Sequence, residues 1–256
     1  MADPVSISII IPAFNEMRRL PTSLQAIEQF ASSRKDIREV IIVDDGSRDA
    51  TAAVTRTFQH TAIPFHLVTY TRNSGKGYAI RRGVLAAVGS AVLVTDADLS
   101  TPITELDKLL PYLRSNDVVI GSRALNEQLV RVKQAWYRQT MGKTFNWMMR
   151  GITGLRFQDT QCGFKLFRGK AARDIFAQAT IDRFAYDVEM LMLAARLGYS
   201  VTEIPVEWFN SVDSRVRVVR DSTRMFVDIL RARKRLGRLG KNCPAPSHQH
   251  HSQEAD

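Results

Sequence analysis

With 256 residues, 45% of them hydrophobic, the chain can bury one complete α/β core, which excludes wholesale disorder. Thirty-six basic residues against 26 acidic leave a net charge of +10, which favours polyanions such as nucleic acid, anionic lipid or phosphorylated small molecules. Two cysteines in unlike contexts, Cys162 and Cys243, make neither a disulfide framework nor a zinc cluster and suit a reducing compartment.

In chain order, strands are predicted at Ser6–Ile11, Glu39–Asp44, Phe65–Thr69, Ala91–Thr95 and Asp117–Gly121. Nearly all of their residues are apolar, as parallel strands covered on both faces require. Helical patterns fall between them, at about Arg18–Phe30, Asp49–Phe58, Gly77–Val88 and Ile103–Arg114, with Ser47 and Asp49 as start signals for the second. The alternation predicts an α/β protein with a doubly wound sheet. Pro12 is expected to stop the first strand. Beyond Asn126 come a basic, aromatic helix candidate at Arg131–Arg150, the stretch "DTQCGFKLFRG", and helices near Lys170–Ala179 and Tyr186–Leu197. A strand at Ser200–Val206 and a basic helix from about Val216 to Leu236 complete the pattern. The tail after Leu236, rich in Pro, Ser and His, is expected to be disordered, with His248, His250 and His251 solvated rather than ligating metal. There is no internal repeat. The first residues lack the pattern of a signal peptide, and no apolar run approaches the ~18–20 residues of a membrane span.

Ligands on such a sheet bind at the carboxyl ends of the strands, and the polar clusters "PAFNE", "DDGSRD", "TRNSGKG" and "DADLS" all fall there. "NSGKGYAIRRG" is neither GxxxxGK[ST] nor GxGxxG after the first strand, which argues against a P-loop NTPase and a dinucleotide dehydrogenase. Gly75 and Gly77 supply unusual backbone angles there, while Arg72 and Lys76 bring positive charge to a strand end. Taken singly, Asn15 and Glu16 fit a helix cap, Asp44 and Asp45 an Asx turn into Gly46, and Asp96 with Asp98, or Ser100, the cap of the next helix. Taken together, three strand ends bring acidic groups to one edge of one sheet. Carboxylates so gathered repel unless a cation or hydrogen-bond donors hold them.

The ordered series "PAFNE", "IVDDGSRDAT", "NSGKGYAIRRG", "TDAD", "IGSRA", "TQCGFKLF" and "FAYDVEML…GYSVTEIPVEW" resembles the inverting family 2 glycosyltransferases of the GT-A fold. It is most similar to the polyprenyl-phosphate sugar synthases, in particular their dolichyl-phosphate glucosyl branch. The resemblance implies a Rossmann-like, mostly parallel sheet flanked by helices in a single domain over residues 5–236. Within it, residues 5–125 would bind nucleotide sugar and residues 126–236 the acceptor. It further implies that Pro12, Phe14, Asn15 and Glu16 line the nucleotide site, that Asp44 or Asp45 contacts base and ribose, and that Lys76 stands beside the nucleotide. Asp96 and Asp98 match the DxD pair that binds Mg²⁺ or Mn²⁺ on the sugar-nucleotide diphosphate. Arg123 and Arg138 match acceptor-phosphate arginines. Arg215 stands where these synthases often have lysine, and the two are not interchangeable in geometry. Ser100 replaces the glutamine of many mannosyl-transferring relatives, which weighs against mannose.

The chemistry agrees. Hard carboxylate oxygens suit a divalent cation that neutralises a leaving diphosphate. A phosphate monoester, with its second pKa near ~6, is already largely dianionic at neutral pH. It needs arginine forks more than a general base, and neither His60 nor His66 is placed to be one. Asp159 and Gln161 are candidates to hold the sugar or the metal, and Cys162 reads as a packing residue. The basic, apolar segments around Trp136 and Val219 read as interfacial helices drawn to anionic lipid. No nucleic-acid-binding pattern stands out. The expected enzyme therefore moves a hexose, glucose from UDP-glucose, onto a polyprenyl phosphate, working peripherally at the cytoplasmic face of the membrane without a transmembrane segment. The alternatives are mannosyl or other glycosyl transfer, from GDP-mannose or another nucleotide sugar, onto a lipid or non-lipid acceptor, and a silent sugar-nucleotide-binding subunit. Oligomeric state, a homo-oligomer included, is left open.

Overall fold

The computed structural model describes residues 5–58, 63–131, 149–209 and 218–237. The strands are β1 (Ile7–Ala13), β2 (Ile37–Asp44), β3 (Phe65–Thr69), β4 (Ala91–Val94), β5 (Val118–Ser122), β6 (Lys165–Arg168) and β7 (Val201–Pro205). They form one sheet in the order β3-β2-β1-β4-β6-β5-β7. Helices α1 (Leu20–Ser32), α2 (Thr51–Thr57), α3 (Lys76–Ala86), α4 (Leu106–Leu109), α5 (Gly169–Gln178), α6 (Tyr186–Arg196) and α7 (Val218–Leu236) flank it.

Both faces of the sheet are covered, so the strands are apolar almost throughout. Ile10, Ile41 and Val43 pack with Val84 of α3, Phe176 of α5 and Ile229 of α7. Their alternate neighbours Ile9, Ile11 and Ile42 pack with Leu24 and Ile27 of α1 on the other side. The polar exception on β1 is Ser8, fully buried, whose hydroxyl donates to Glu39 Oε1 at 2.5 Å. Glu39 also receives the Val88 N–H at 2.9 Å, so this buried carboxylate is satisfied rather than stranded.

Three expectations are corrected. Pro12 does not stop β1; it pairs with Val43 inside the strand. The ladder to β4 ends at Ile10↔Val94, and Pro12 faces that side, so the N–H it lacks has no strand partner to lose. Residues 103–114 are not one helix. They form a 3₁₀ turn (Ile103–Glu105), a single turn of α4 and a second 3₁₀ segment (Leu110–Arg114), because Pro111 cannot donate into an α-helical ladder. The sheet also contains β6, a strand not anticipated from the sequence. It runs antiparallel between β4 and β5. Its reversed direction sets Lys165, its first residue, opposite Val94 at the carboxyl end of β4, which carries the preceding loop to that edge of the sheet.

The helix candidate at 131–150 lies mostly outside the described residues, as do Arg138, Arg215 and the tail after residue 237. Among the described residues no helix is long and apolar enough to cross a membrane.

A buried acid ties the second half together. Glu189 of α6 is fully buried and accepts the N–H groups of Thr180 (3.0 Å) and Ile181 (2.8 Å) and the Thr180 hydroxyl (2.8 Å). Arg235 of α7 pairs with it at 2.5 Å. Arg235 is itself exposed, so removing Glu189 leaves its charge in water but strips the loop N–H groups of their acceptor. Glu189→Ala is therefore expected to lower the unfolding free energy by about 1–3 kcal/mol, measured by denaturant titration.

Candidate active site

The ends of β1 and β2 are laced together by backbone-to-side-chain hydrogen bonds. Asn15 takes a left-handed φ of 54°, which a short amide side chain tolerates. Its N–H donates to Ser47 Oγ at 2.8 Å, and its Oδ1 accepts the Arg48 N–H at 2.7 Å. The Glu16 N–H donates to Thr51 Oγ1 at 2.7 Å, and Asp44 Oδ1 accepts the Ser47 N–H at 3.0 Å. Pro12 and Phe14 lie on the same strand end.

Asp45 is spent on the neighbouring loop. Its oxygens accept the N–H groups of Ser74 (2.7 Å) and Gly75 (2.8 Å) and the Asn73 amide (2.8 Å). Burial raises its pKa, and the N–H groups of Ser74 and Gly75 oppose that rise. Gly75 has φ 113°, and a Cβ there would stand 2.3 Å from the Asp182 carbonyl oxygen, so only glycine fits this turn. The turn aims Lys76, the first residue of α3, at the carboxylates of the β4 end.

Those carboxylates are each held by a cation. Lys76 Nζ lies 2.5 Å from Asp96 Oδ1, and Arg19 Nη1 lies 3.1 Å from Asp98 Oδ2. Arg19 also clasps Glu16 at 2.8 and 2.6 Å. Burial works against the charge on Lys76, but Asp96, Asp187 and Asp98 outweigh it and raise its pKa. Burial likewise works against ionised Asp96, and Lys76 outweighs it, holding that carboxyl below its ordinary value. Both groups are thus charged at neutral pH. Ser100 does not cap the following helix. Its N–H and hydroxyl donate to Asp98 Oδ1 at 3.1 and 2.9 Å, over a left-handed Leu99 (φ 44°), and Pro102 precedes the 3₁₀ turn with no side-chain cap.

The loop before β6 closes the site. Arg123, just after β5, forks onto Asp159 through Nε (2.6 Å) and Nη2 (2.8 Å), and its N–H donates to the same carboxylate at 3.0 Å. The guanidinium lies over the Trp208 ring, 5.5 Å from its centroid. Burial opposes ionisation of Asp159, but Arg123 prevails and its pKa falls. Asp159 and Gln158 donate their N–H groups to Glu203 of β7 at 2.6 and 2.8 Å. Gln161 donates its N–H to Asp159 Oδ1 at 3.2 Å, and its side chain reaches Met225 Sδ of α7 at 4.0 Å. The structure therefore gathers Asp96, Asp98, Lys76, Arg123, Asp159 and Gln161 around one edge, while Asp45 faces the loop.

Several contributors escaped the sequence reading. Arg19 is one. Gly163 is another: a Cβ there would stand 2.2 Å from Asp96 Oδ2, so the backbone itself backs the carboxylate. The buried Lys165 pairs with Asp187 and with the Cys162 carbonyl behind the site. Lys76 lies over the Tyr186 ring, 5.9 Å from its centroid. One signal for Lys165 was present, a lone charge inside an apolar run. Among the described residues no group of three His, Cys, Asp or Glu side chains is arranged to hold a metal. The pair Asp96 and Asp98 nonetheless suits a hard divalent cation that takes its remaining ligands from diphosphate oxygens and water.

The chain belongs to glycosyltransferase family 2: the Glycosyl transferase family 2 profile matches residues 8–176. Among its relatives, the dolichyl-phosphate beta-glucosyltransferase of Dictyostelium discoideum is 34% identical over 247 residues, covering 91% of this chain and 75% of that protein. The Homo sapiens dolichyl-phosphate beta-glucosyltransferase is 30% identical over 243 residues, covering 90% and 75%. Glucosyl-3-phosphoglycerate synthase from Mycobacterium tuberculosis, crystallised with Mn²⁺, UDP-glucose and phosphoglyceric acid, superposes with a TM-score of 0.67 at 16% identity, covering 91% of this chain and 80% of that one. This likeness is one of fold, and it places the sheet and helices in the GT-A class.

Two outcomes follow from the geometry. Gly163→Ala is expected to weaken UDP-glucose binding at least tenfold by calorimetry while the circular dichroism spectrum is kept, since the new methyl group collides with Asp96; unchanged affinity would count against the contact. Burial pushes the Cys162 thiol up to about 11, with Asp159 adding to the rise. Iodoacetamide at pH 8 should therefore label Cys162 about a hundredfold more slowly than a free thiol, read by peptide mass mapping.

Proposed function

We propose that this enzyme transfers glucose from UDP-glucose to the phosphate of a polyprenyl phosphate such as dolichyl phosphate, inverting the anomeric centre to a β-linked product. The observation that carries the reading is the 30–35% identity, across about nine-tenths of the chain, to dolichyl-phosphate beta-glucosyltransferases. The carboxylate and arginine edge supports it. Asp44, Pro12, Phe14, Asn15 and Glu16 line the strand ends where base and ribose would lie. Asp96 and Asp98 would hold Mg²⁺ or Mn²⁺, which when bound neutralises charge on the leaving diphosphate. Lys76 meets the diphosphate with its ammonium group.

On the acceptor side, Arg123 presents a guanidinium already oriented by Asp159, so little ordering remains when a phosphate arrives. The family resemblance assigns Arg138 to the same phosphate, and Arg215 keeps a positive charge where such synthases often carry lysine. An acceptor phosphate oxygen forms its bond to C1 of glucose on the face opposite UDP, and the C1–O bond to UDP breaks. The dianionic acceptor needs no general base. With this lipid acceptor the enzyme is read as working peripherally at the cytoplasmic face of the membrane, through the basic helix α7.

The test offers UDP-glucose and GDP-mannose with and without polyprenyl phosphate. Glucosyl-lipid from UDP-glucose is expected; efficient mannosyl transfer, or preference for a water-soluble acceptor, sinks the reading. Asp98→Asn should cut transfer by at least a hundredfold, whereas retained transfer would remove Asp98 from the metal site. Arg123→Ala should raise the acceptor KM at least tenfold and leave UDP-glucose affinity within a factor of two. Equal loss of both would contradict its place at the acceptor.

A further inference from the structure

Beside the active-site edge, a cleft of about 380 Å³ lies between the 180–183 loop and α7. Four arginines line it: Arg183 from the loop, and Arg224, Arg231 and Arg235 from α7. Two acids face them, and both are engaged. Asp182 pairs with Arg81 at 2.8 Å, and Asp228 stands 3.7 Å from Arg231. Arg235 is taken by Glu189. Arg183 and Arg224 are both exposed, and neither pairs with a carboxylate whose side chain the structure describes, the Asp221 side chain of α7 lying outside those. The cleft thus carries surplus positive charge at a fixed place rather than a diffuse solvated face.

Its surroundings select among anions. Arg224, Val227 and Arg231 share one face of α7 and line an adjoining hollow of about 490 Å³. Val227 and the neighbouring Leu230 are 38% and 41% exposed. Cations next to exposed aliphatic side chains fit an amphiphile, with phosphate in the cleft and hydrocarbon against Val227. A soluble phosphate would leave the apolar part unused.

We propose that this cleft binds the phosphate headgroup of an anionic membrane lipid and so seats α7 on the bilayer. The cleft is lined by none of Arg123, Asp159 and Gln161, the described residues assigned to the acceptor side, although the proposal rests on the reading that the enzyme works at a membrane. The seat adjoins the catalytic edge. Met225 of α7 touches Gln161, and the 180–183 loop packs on Gly75 and Gly77, which frame Lys76.

The test is co-sedimentation of the full chain with vesicles of phosphatidylcholine alone or mixed with phosphatidylglycerol. Arg183→Ala with Arg224→Ala should weaken binding to the anionic vesicles about thirtyfold, from about fivefold per arginine. The thermal shift given by UDP-glucose should be unchanged, which shows an intact fold. Arg38→Ala with Arg82→Ala removes the same charge from exposed positions elsewhere and should cost less than threefold. Equal losses in the two double variants would reduce the effect to net charge and overturn the site. So would wild-type binding by the cleft variant, or displacement from vesicles by inorganic phosphate at constant ionic strength. Transfer to polyprenyl phosphate in neutral detergent micelles is assayed separately. Its failure alongside the predicted vesicle result would sink the acceptor reading and leave the lipid cleft standing.

Discussion

Mutual repulsion of carboxylates at one sheet edge is the constraint on which the rest of this structure depends. Asp44, Asp45, Asp96 and Asp98 end adjacent regions of the sheet, and Asp159 and Asp187 approach from later segments. Each is held by a specific donor. Asp45 takes backbone N–H groups, Asp96 takes Lys76, Asp98 takes Arg19 and Ser100, and Asp159 takes Arg123. An edge so held is stable in the folded chain, and Lys76 and Arg123 keep the Asp96 and Asp159 carboxyls below their ordinary values, as binding a cation-bridged diphosphate requires.

The backbone is shaped around that arrangement. Gly75 gives the turn that aims Lys76, and Gly163 lets the chain close on Asp96. The antiparallel β6 is what brings Gly163, Gln161 and Asp159 to the edge, because its first residue rather than its last lies beside the end of β4. Behind the edge, the buried Lys165–Asp187 pair continues the alternation of charge into the core. A single misplaced member would leave a neighbour uncompensated, so the site and the fold are stabilised by the same contacts.

Much of this was legible in the sequence, for a physical reason. Parallel strands buried on both faces read as continuous apolar runs, so β1 to β5 were found within a residue or two. The runs end abruptly in polar residues, so the polar edge at the strand ends, with Asp96, Asp98 and Lys76 on it, was legible with them. β6 was not, because four residues beginning in Lys165 and ending in Arg168 carry no periodic signal. The partnership of Arg19 with Asp98 spans 79 positions and has no local trace. Pro12 was misread because a proline in a strand looks like a stop until the neighbouring ladder is seen to end first. Pro111 was the reverse case, a local signal that outweighed a helical pattern.

The central claim is that this edge is built to receive a sugar nucleotide together with a divalent cation. A thermal-shift measurement with UDP-glucose, in Mn²⁺ or Mg²⁺ and then in excess chelator, tests it most directly, since a ligand stabilises only the state it binds. The account predicts a clear rise in Tm with UDP-glucose and metal that collapses in chelator and is smaller with GDP-mannose. An equal rise with chelator present would contradict it.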